Sequence, residues 1–182
     1  MTSKSIPIKE LAKGHCLAVE NACRLVEDGE VLLNCKRPLT AINLFLLAYE
    51  EFSKAHIISQ SVLFSEDDVE KWTWFWKAFR DHREKLRVLQ YEFHWSNYQD
   101  KAEFDRRINL FKNRREDSLY VSLDPGTNEF QKAGAQIGDY DNFAELLHQY
   151  LLGVIVLFCP AGLPTPVDME HVYIAQRKKF MK

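Results

Sequence analysis

AINLFLLAYEEFSKA, residues 41–55, is the segment around which the rest of this chain has to be arranged. Its first half, AINLFLLA, is apolar on nearly every side, the pattern of a helix buried at the centre of a bundle. Its second half then places Glu50, Glu51 and Lys54 on the same helix. A buried charge costs several kcal/mol unless it is paired, so these residues need partners. At about 100° per residue, Leu47, Glu51, Lys54 and Ile58 share a narrow strip beside the apolar face, and Glu50 lies further round. Glu51 and Lys54 are spaced i,i+3 and Glu50 and Lys54 i,i+4, so either carboxylate can reach the ammonium. An ion pair at the edge of a core accounts for this motif on its own. A working polar site would need help from other parts of the chain.

Working outward, Pro38 opens this helix, which is expected to run to about Phe64. Before it, Ser5 and Pro7 mark a helix start, and Ile8, Leu11, Ala12, Ala18, Val19, Ala22, Leu25 and Val26 follow at spacings of three and four. That first helix fades near Gly29 or continues to Cys35. After it, Ser65–Asp68 is a capping signal with an acidic first turn. Phe75, Phe79, His82, Leu86, Leu89 and Phe93 then form a single heptad stripe, which predicts one long third helix ending near Phe93. Asp100 with Glu103 caps a shorter fourth helix bearing Phe104, Ile108 and Phe111. SLYVSL (118–123) reads as a brief extended segment closed by the turn DPG. A fifth helix spans about 141–158 and is stopped by CPAGLPTP, and a tail helix follows from Asp168. The fold class is therefore all-α: a bundle of five to six helices with a short extended segment near 118–123. It is read as one domain over 1–182, with 160–182 adding an appended tail helix.

The net charge of −2 gives the whole molecule no long-range attraction to nucleic acid. Cys16, Cys23, Cys35 and Cys159 form no CxxC and no His/Cys cluster, which argues against structural zinc. Without a signal peptide they read as reduced thiols of a cytoplasmic protein. The longest apolar run, LLGVIVLFC at 151–159, is roughly half of a bilayer span, so no membrane is expected. The ferritin-like di-iron pattern needs Glu-x-x-His on two helices. Here Ser53 follows Glu50, Lys54 follows Glu51, and no second copy occurs. No metal and no cofactor are expected.

His82 sits inside the apolar stripe, flanked by Arg80, Arg83 and Lys85. A core histidine satisfied by a carbonyl or carboxylate would look the same. Yet an imidazole titrates near neutral pH, and flanking cations can hold a phosphate while it moves a proton. Residues 77–115 carry eleven cations against six acids, and Trp72, Trp74, Trp76, Tyr91, Trp95 and Tyr98 are interleaved with them or just precede them. That mixture suits single-stranded RNA, through phosphate contact and base stacking, with Arg80, Arg83, Arg114 and Arg115 as candidate contacts. The alternative is that the tryptophans pack against helices or a second subunit and the charges are solvated. Trp72, Trp74, Phe75 and Trp76 cover more than one helix face, which predicts a homodimer.

Asn21-Ala22, then AINLFLLAYEEFSKA, then Phe79-x-x-His82-x-x-Lys85, then Arg115 followed by LYV at 119–121, come in an order that resembles the AbiV family of bacterial abortive-infection (phage-resistance) proteins. That family is similar to the wider HEPN group of helical domains, many of which are metal-independent ribonucleases working as dimers. The resemblance covers roughly residues 15–130, and A-x-EE-x-x-K-A is its most specific part. It implies that Asn21, Glu51, Lys54, His82 and Lys85, with Glu50 beside them, are the family's characteristic polar positions. The chain departs from the HEPN ribonuclease signature, an arginine followed four to six residues later by a histidine on one helix. Arg80 to His82 is too short, Arg87 to His94 too long, and no suitable arginine precedes His148.

Two functions compete. In the first, an RNA-cleaving effector of phage defence uses His82 as general base on a ribose 2′-hydroxyl. Lys54 and Lys85 would stabilise the phosphorane, and Glu51 would orient Lys54 or the histidine. In the second, a non-catalytic helical protein senses a phage component or partner, and the polar cluster is structural. A homodimer, RNA, and a phage protein or neighbouring regulator are the expected partners.

Overall fold

The computed structural model describes residues 4–94, 122–124, 129–131 and 140–180, with the single positions 109, 113 and 133. Among the described residues, the main helices are α1 (Ile8–Asn34), α2 (Pro38–Ser61), α3 (Val69–Arg80), α4 (His82–His94), α5 (Tyr140–Phe158) and α6 (Pro166–Phe180). Two three-residue strands, β1 (Ser122–Asp124) and β2 (Glu129–Gln131), pair antiparallel with Leu123 opposite Phe130. The fold is all-α, with this one small strand pair. The helix expected around 100–111 falls outside the described residues save for position 109, as do residues 118–121 of the expected extended segment.

α2 is the axis of the bundle and packs against α1, α3, α4 and α5, while α6 lies on α1. Its apolar half behaves as the sequence demands, with Ala41, Ile42, Phe45, Leu46, Ala48 and Tyr49 all buried. Together with Val19, Ala22 and Val26 of α1, Leu86 of α4, and Leu147, Leu151 and Val154 of α5, they form one core. A second core joins Leu11, Ile57, Ile58, Trp72, Phe75 and Tyr173. α1 does not stop at Gly29. A Cβ there would overlap the Phe45 ring, so the glycine is a site of close helix approach rather than a terminator.

The heptad stripe predicted one unbroken third helix, and here the structure differs. Asp81 leaves the helical region (φ −82°, ψ 118°) and ends α3. Its carboxylate accepts the N–H groups of Arg83 at 2.8 Å and Glu84 at 3.3 Å, capping a new helix. His82 therefore opens α4 instead of lying mid-helix. The tryptophan-rich stretch also resolves differently from the surplus surface the sequence suggested. Trp72 is fully buried and donates through Nε1 to the Ser65 carbonyl, and Phe75 is buried beside it. Trp76 donates to the Lys4 carbonyl, which leaves Trp74 as the exposed member of the group. These side chains are largely consumed within the protomer.

The tail helix is tied into the body. Arg177 donates to the carbonyls of Val62 and Phe64, satisfying acceptors just beyond the C-terminus of α2. Tyr173, 1% exposed, meets His15 Nδ1 at 2.9 Å and Ser59 Oγ at 3.0 Å, and His15 Nδ1 also lies 3.2 Å from the Ala55 carbonyl. Burial holds the His15 pKa down at about 4, against a partial pull upward from that carbonyl, with His56 adding repulsion. Burial likewise pushes the Tyr173 hydroxyl above the usual phenol range.

A neutral His15 stabilises the fold fully above the unfolded imidazole value of 6.5, and that contribution drains away as pH falls toward 4. Urea titrations at pH 7 and pH 4.5 are expected to show a loss on the order of 2–3 kcal/mol from this group. His15→Phe should flatten that part of the pH dependence.

Candidate functional site

The motif that opened the sequence reading resolves into two ion pairs. Glu50 points into the bundle and is 3% exposed, an expensive place for a carboxylate. Its Oε2 lies 2.5 Å from His82 Nδ1 and 3.2 Å from Lys85 Nζ. Both partners come from the first turn of α4, at the positive end of the helix dipole. Three positions apart, they project from the same side of that helix. The Asp81 cap is thus what directs an imidazole and an ammonium at one carboxylate.

The two cations differ in access. The Lys85 side chain is 5% exposed and sealed against Glu50, whereas that of His82 is 58% exposed. The imidazole therefore has one edge on a buried acid and the rest of the ring toward solvent. The contact of Nδ1 with the Glu50 carboxylate fixes the ring's orientation.

Glu51 takes a different partner. Its Oε1 lies 2.5 Å from Lys54 Nζ, with both side chains partly exposed. Lys54 also sits over the Phe79 ring, 5.8 Å from its centroid, at the end of α3. The sequence reading allowed Glu51 to orient either Lys54 or the histidine, and it is bonded to Lys54. The residue on His82 is Glu50. Lys85, expected to face a phosphate, is instead enclosed with that acid. Asn21 joins neither pair: its Oδ1 accepts from Arg24 at 2.8 Å on α1. Arg24 was missed, although its i,i+3 spacing from Asn21 was visible.

Of the candidate RNA contacts, Arg83 is exposed at the start of α4. Arg80 is exposed too, with its guanidinium 5.3 Å from the centre of the Trp76 ring. Arg114 and Arg115 lie outside the described residues. Among the described residues, no group of three or more His, Cys, Asp or Glu is placed to hold a metal ion. No helix among them is long and apolar enough to cross a membrane.

Compared with known proteins, residues 10–134 match the family model HEPN_AbiV, described as AbiV, which covers more than half of the chain. No match was found among curated proteins or among solved structures.

The geometry ranks the site's residues by their cost to the fold. Glu50→Ala strands a buried ammonium and is expected to lose about 3–5 kcal/mol. His82→Ala, at a largely exposed side chain, should lose about 1 kcal/mol, and Glu51→Gln no more than about 1 kcal/mol. Denaturant titration of the three variants checks the order.

Proposed function

Because this chain belongs to the AbiV family of HEPN proteins, which points to abortive infection and hence phage defence, we propose that it is a metal-independent endoribonuclease effector of that defence. The observation that carries this reading is the 2.5 Å contact between the exposed imidazole of His82 and the buried carboxylate of Glu50. A general base needs an orienting partner on its ring, and Glu50 supplies one at Nδ1. Lys85 acts as a positioning residue, since its enclosed ammonium holds the Glu50 carboxylate in place.

In the proposed step, His82 Nε2 takes the proton of a ribose 2′-hydroxyl. The 2′-oxygen attacks the adjacent phosphorus, and the 5′-oxygen of the next nucleotide leaves and is protonated. The products are a 2′,3′-cyclic phosphate and a 5′-hydroxyl, with no oxidant or reductant consumed. Positive charge for the phosphorane comes from Lys54 and from Arg83, one residue past the base. The protein works in the cytoplasm as a homodimer, as the family implies. The outward side of α5, with Leu146 and Val156 exposed, is the surface assigned to the second copy.

A second reading has its own support. No histidine lies four to six positions after an arginine in this chain, and Lys85 is too enclosed to reach a phosphate. On that reading the polar cluster is structural and the protein acts by binding a phage component or a neighbouring regulator.

Incubation with cellular RNA in EDTA separates the two. Cleavage leaving 2′,3′-cyclic ends is expected, falling at least about 100-fold in His82→Ala while the variant's circular dichroism stays unchanged. No cleavage, or undiminished cleavage by the variant, would leave the interaction protein. Sedimentation at micromolar concentration should show a dimer that Val156→Glu converts to monomer.

A further inference from the structure

Ser59 follows Glu50 by nine residues on α2, which places it about half a turn round on the opposite side of the helix. There a cavity of about 580 Å³ opens, its floor formed by His15 and Ser59 and its walls by Phe158, the loop 160–164 and Met169. Gly162 turns that loop with φ +100°, a conformation side chains rarely adopt. A cavity of this size, mostly apolar with a few polar groups in its lining, has the form of a small-molecule site.

The floor specifies the ligand. Among the described residues every hydrogen bond of the His15 ring runs through Nδ1, to Ala55 O, Ser59 Oγ and Tyr173 OH. A carbonyl can only accept, so Nδ1 carries the ring proton. Nε2 is then a lone-pair acceptor on a side chain that is 5% exposed. Burial keeps the ring neutral at physiological pH, so that acceptor carries no positive charge. No lysine or arginine lines the cavity, and its one charged residue is Asp168, in the first turn of α6, whose carboxylate accepts from Thr165. Phosphates and carboxylates are therefore disfavoured.

We propose that this cavity binds a small, uncharged aromatic molecule that donates an N–H or O–H hydrogen bond to His15 Nε2. It is a second site, chemically opposite to the charged one at Glu50, and it does not depend on the ribonuclease reading.

Indole and benzofuran test this, because they share a shape and differ in the donor. With the full chain, millimolar indole is expected to give saturable shifts of the His15 imidazole nitrogens. Benzofuran should bind about tenfold more weakly or less, since it leaves the acceptor unpaired. Ala161→Trp, at an exposed position on the rim, should abolish indole binding without moving the melting temperature of the free protein. Failure of indole to bind, equal binding of the two probes, or unchanged indole binding by a folded Ala161→Trp protein would each overturn the proposal.

Discussion

A carboxylate at the centre of a helical bundle has to be answered by positive charge from a neighbouring helix, and Glu50 imposes that demand here. With Glu50 3% exposed, water cannot solvate the ion, and the cost of desolvation falls on its partners. Lys54, the cation nearest in sequence, is engaged by Glu51 at the rim. Compensation therefore comes from α4, which reaches α2 with His82 and Lys85 in its first turn. An unbroken helix through residue 81 would have carried the direction of α3 onward. The break at Asp81 sets α4 on its own course, packed against both α2 and α3. Local capping chemistry and the needs of a buried acid are met by the same bend.

The parts of this architecture legible in the sequence are those governed by short-range rules. Pro38 opens α2, the CPAGLPTP segment ends α5, and the all-round apolar character of AINLFLLA puts α2 at the core. The break after Arg80 was obscured because a heptad stripe continues straight across it. The overriding signal was present: Asp81 followed by Glu84 has the same Asp-x-x-Glu spacing as Asp100 and Glu103. Periodicity reports which side chains could share a face, whereas a cap reports whether the backbone continues. Gly29 was ambiguous for a different reason, since only the arrival of the Phe45 ring shows that it is a contact point.

The site was legible in its members more than in its pairings. Glu50, Glu51, Lys54, His82 and Lys85 do fall near the junction of α2, α3 and α4. A helical wheel put Glu51 and Lys54 on one strip and Glu50 further round, but it contains no information about which helix lies on which side. The assignment of the histidine to Glu50 depends on that packing. Two of the histidines that α2 engages, His82 and His15, show how burial divides one residue type. His82 keeps most of its side chain in solvent beside a charge, while His15 is enclosed among neutral oxygens and held uncharged. The first environment suits proton exchange and the second suits recognition of a hydrogen-bond donor.

The missing arginine–histidine signature takes on a different meaning once the backbone is known. A given arginine–histidine spacing fixes the relative direction of the two side chains only if a single helix carries both. Arg80 and His82 are separated by the extended Asp81 and belong to different helices, so their short spacing says nothing about distance. What it does say concerns direction: Arg80 lies back over the Trp76 ring on α3, while His82 turns toward α2. If phosphate is bound here, its cations must come from beyond that arginine. Lys54 is partly exposed on α2, over the Phe79 ring, and Arg83 is exposed beside the imidazole. The division of labour follows from burial alone. Lys85 is committed to the acid, and only the exposed cations are available to a substrate.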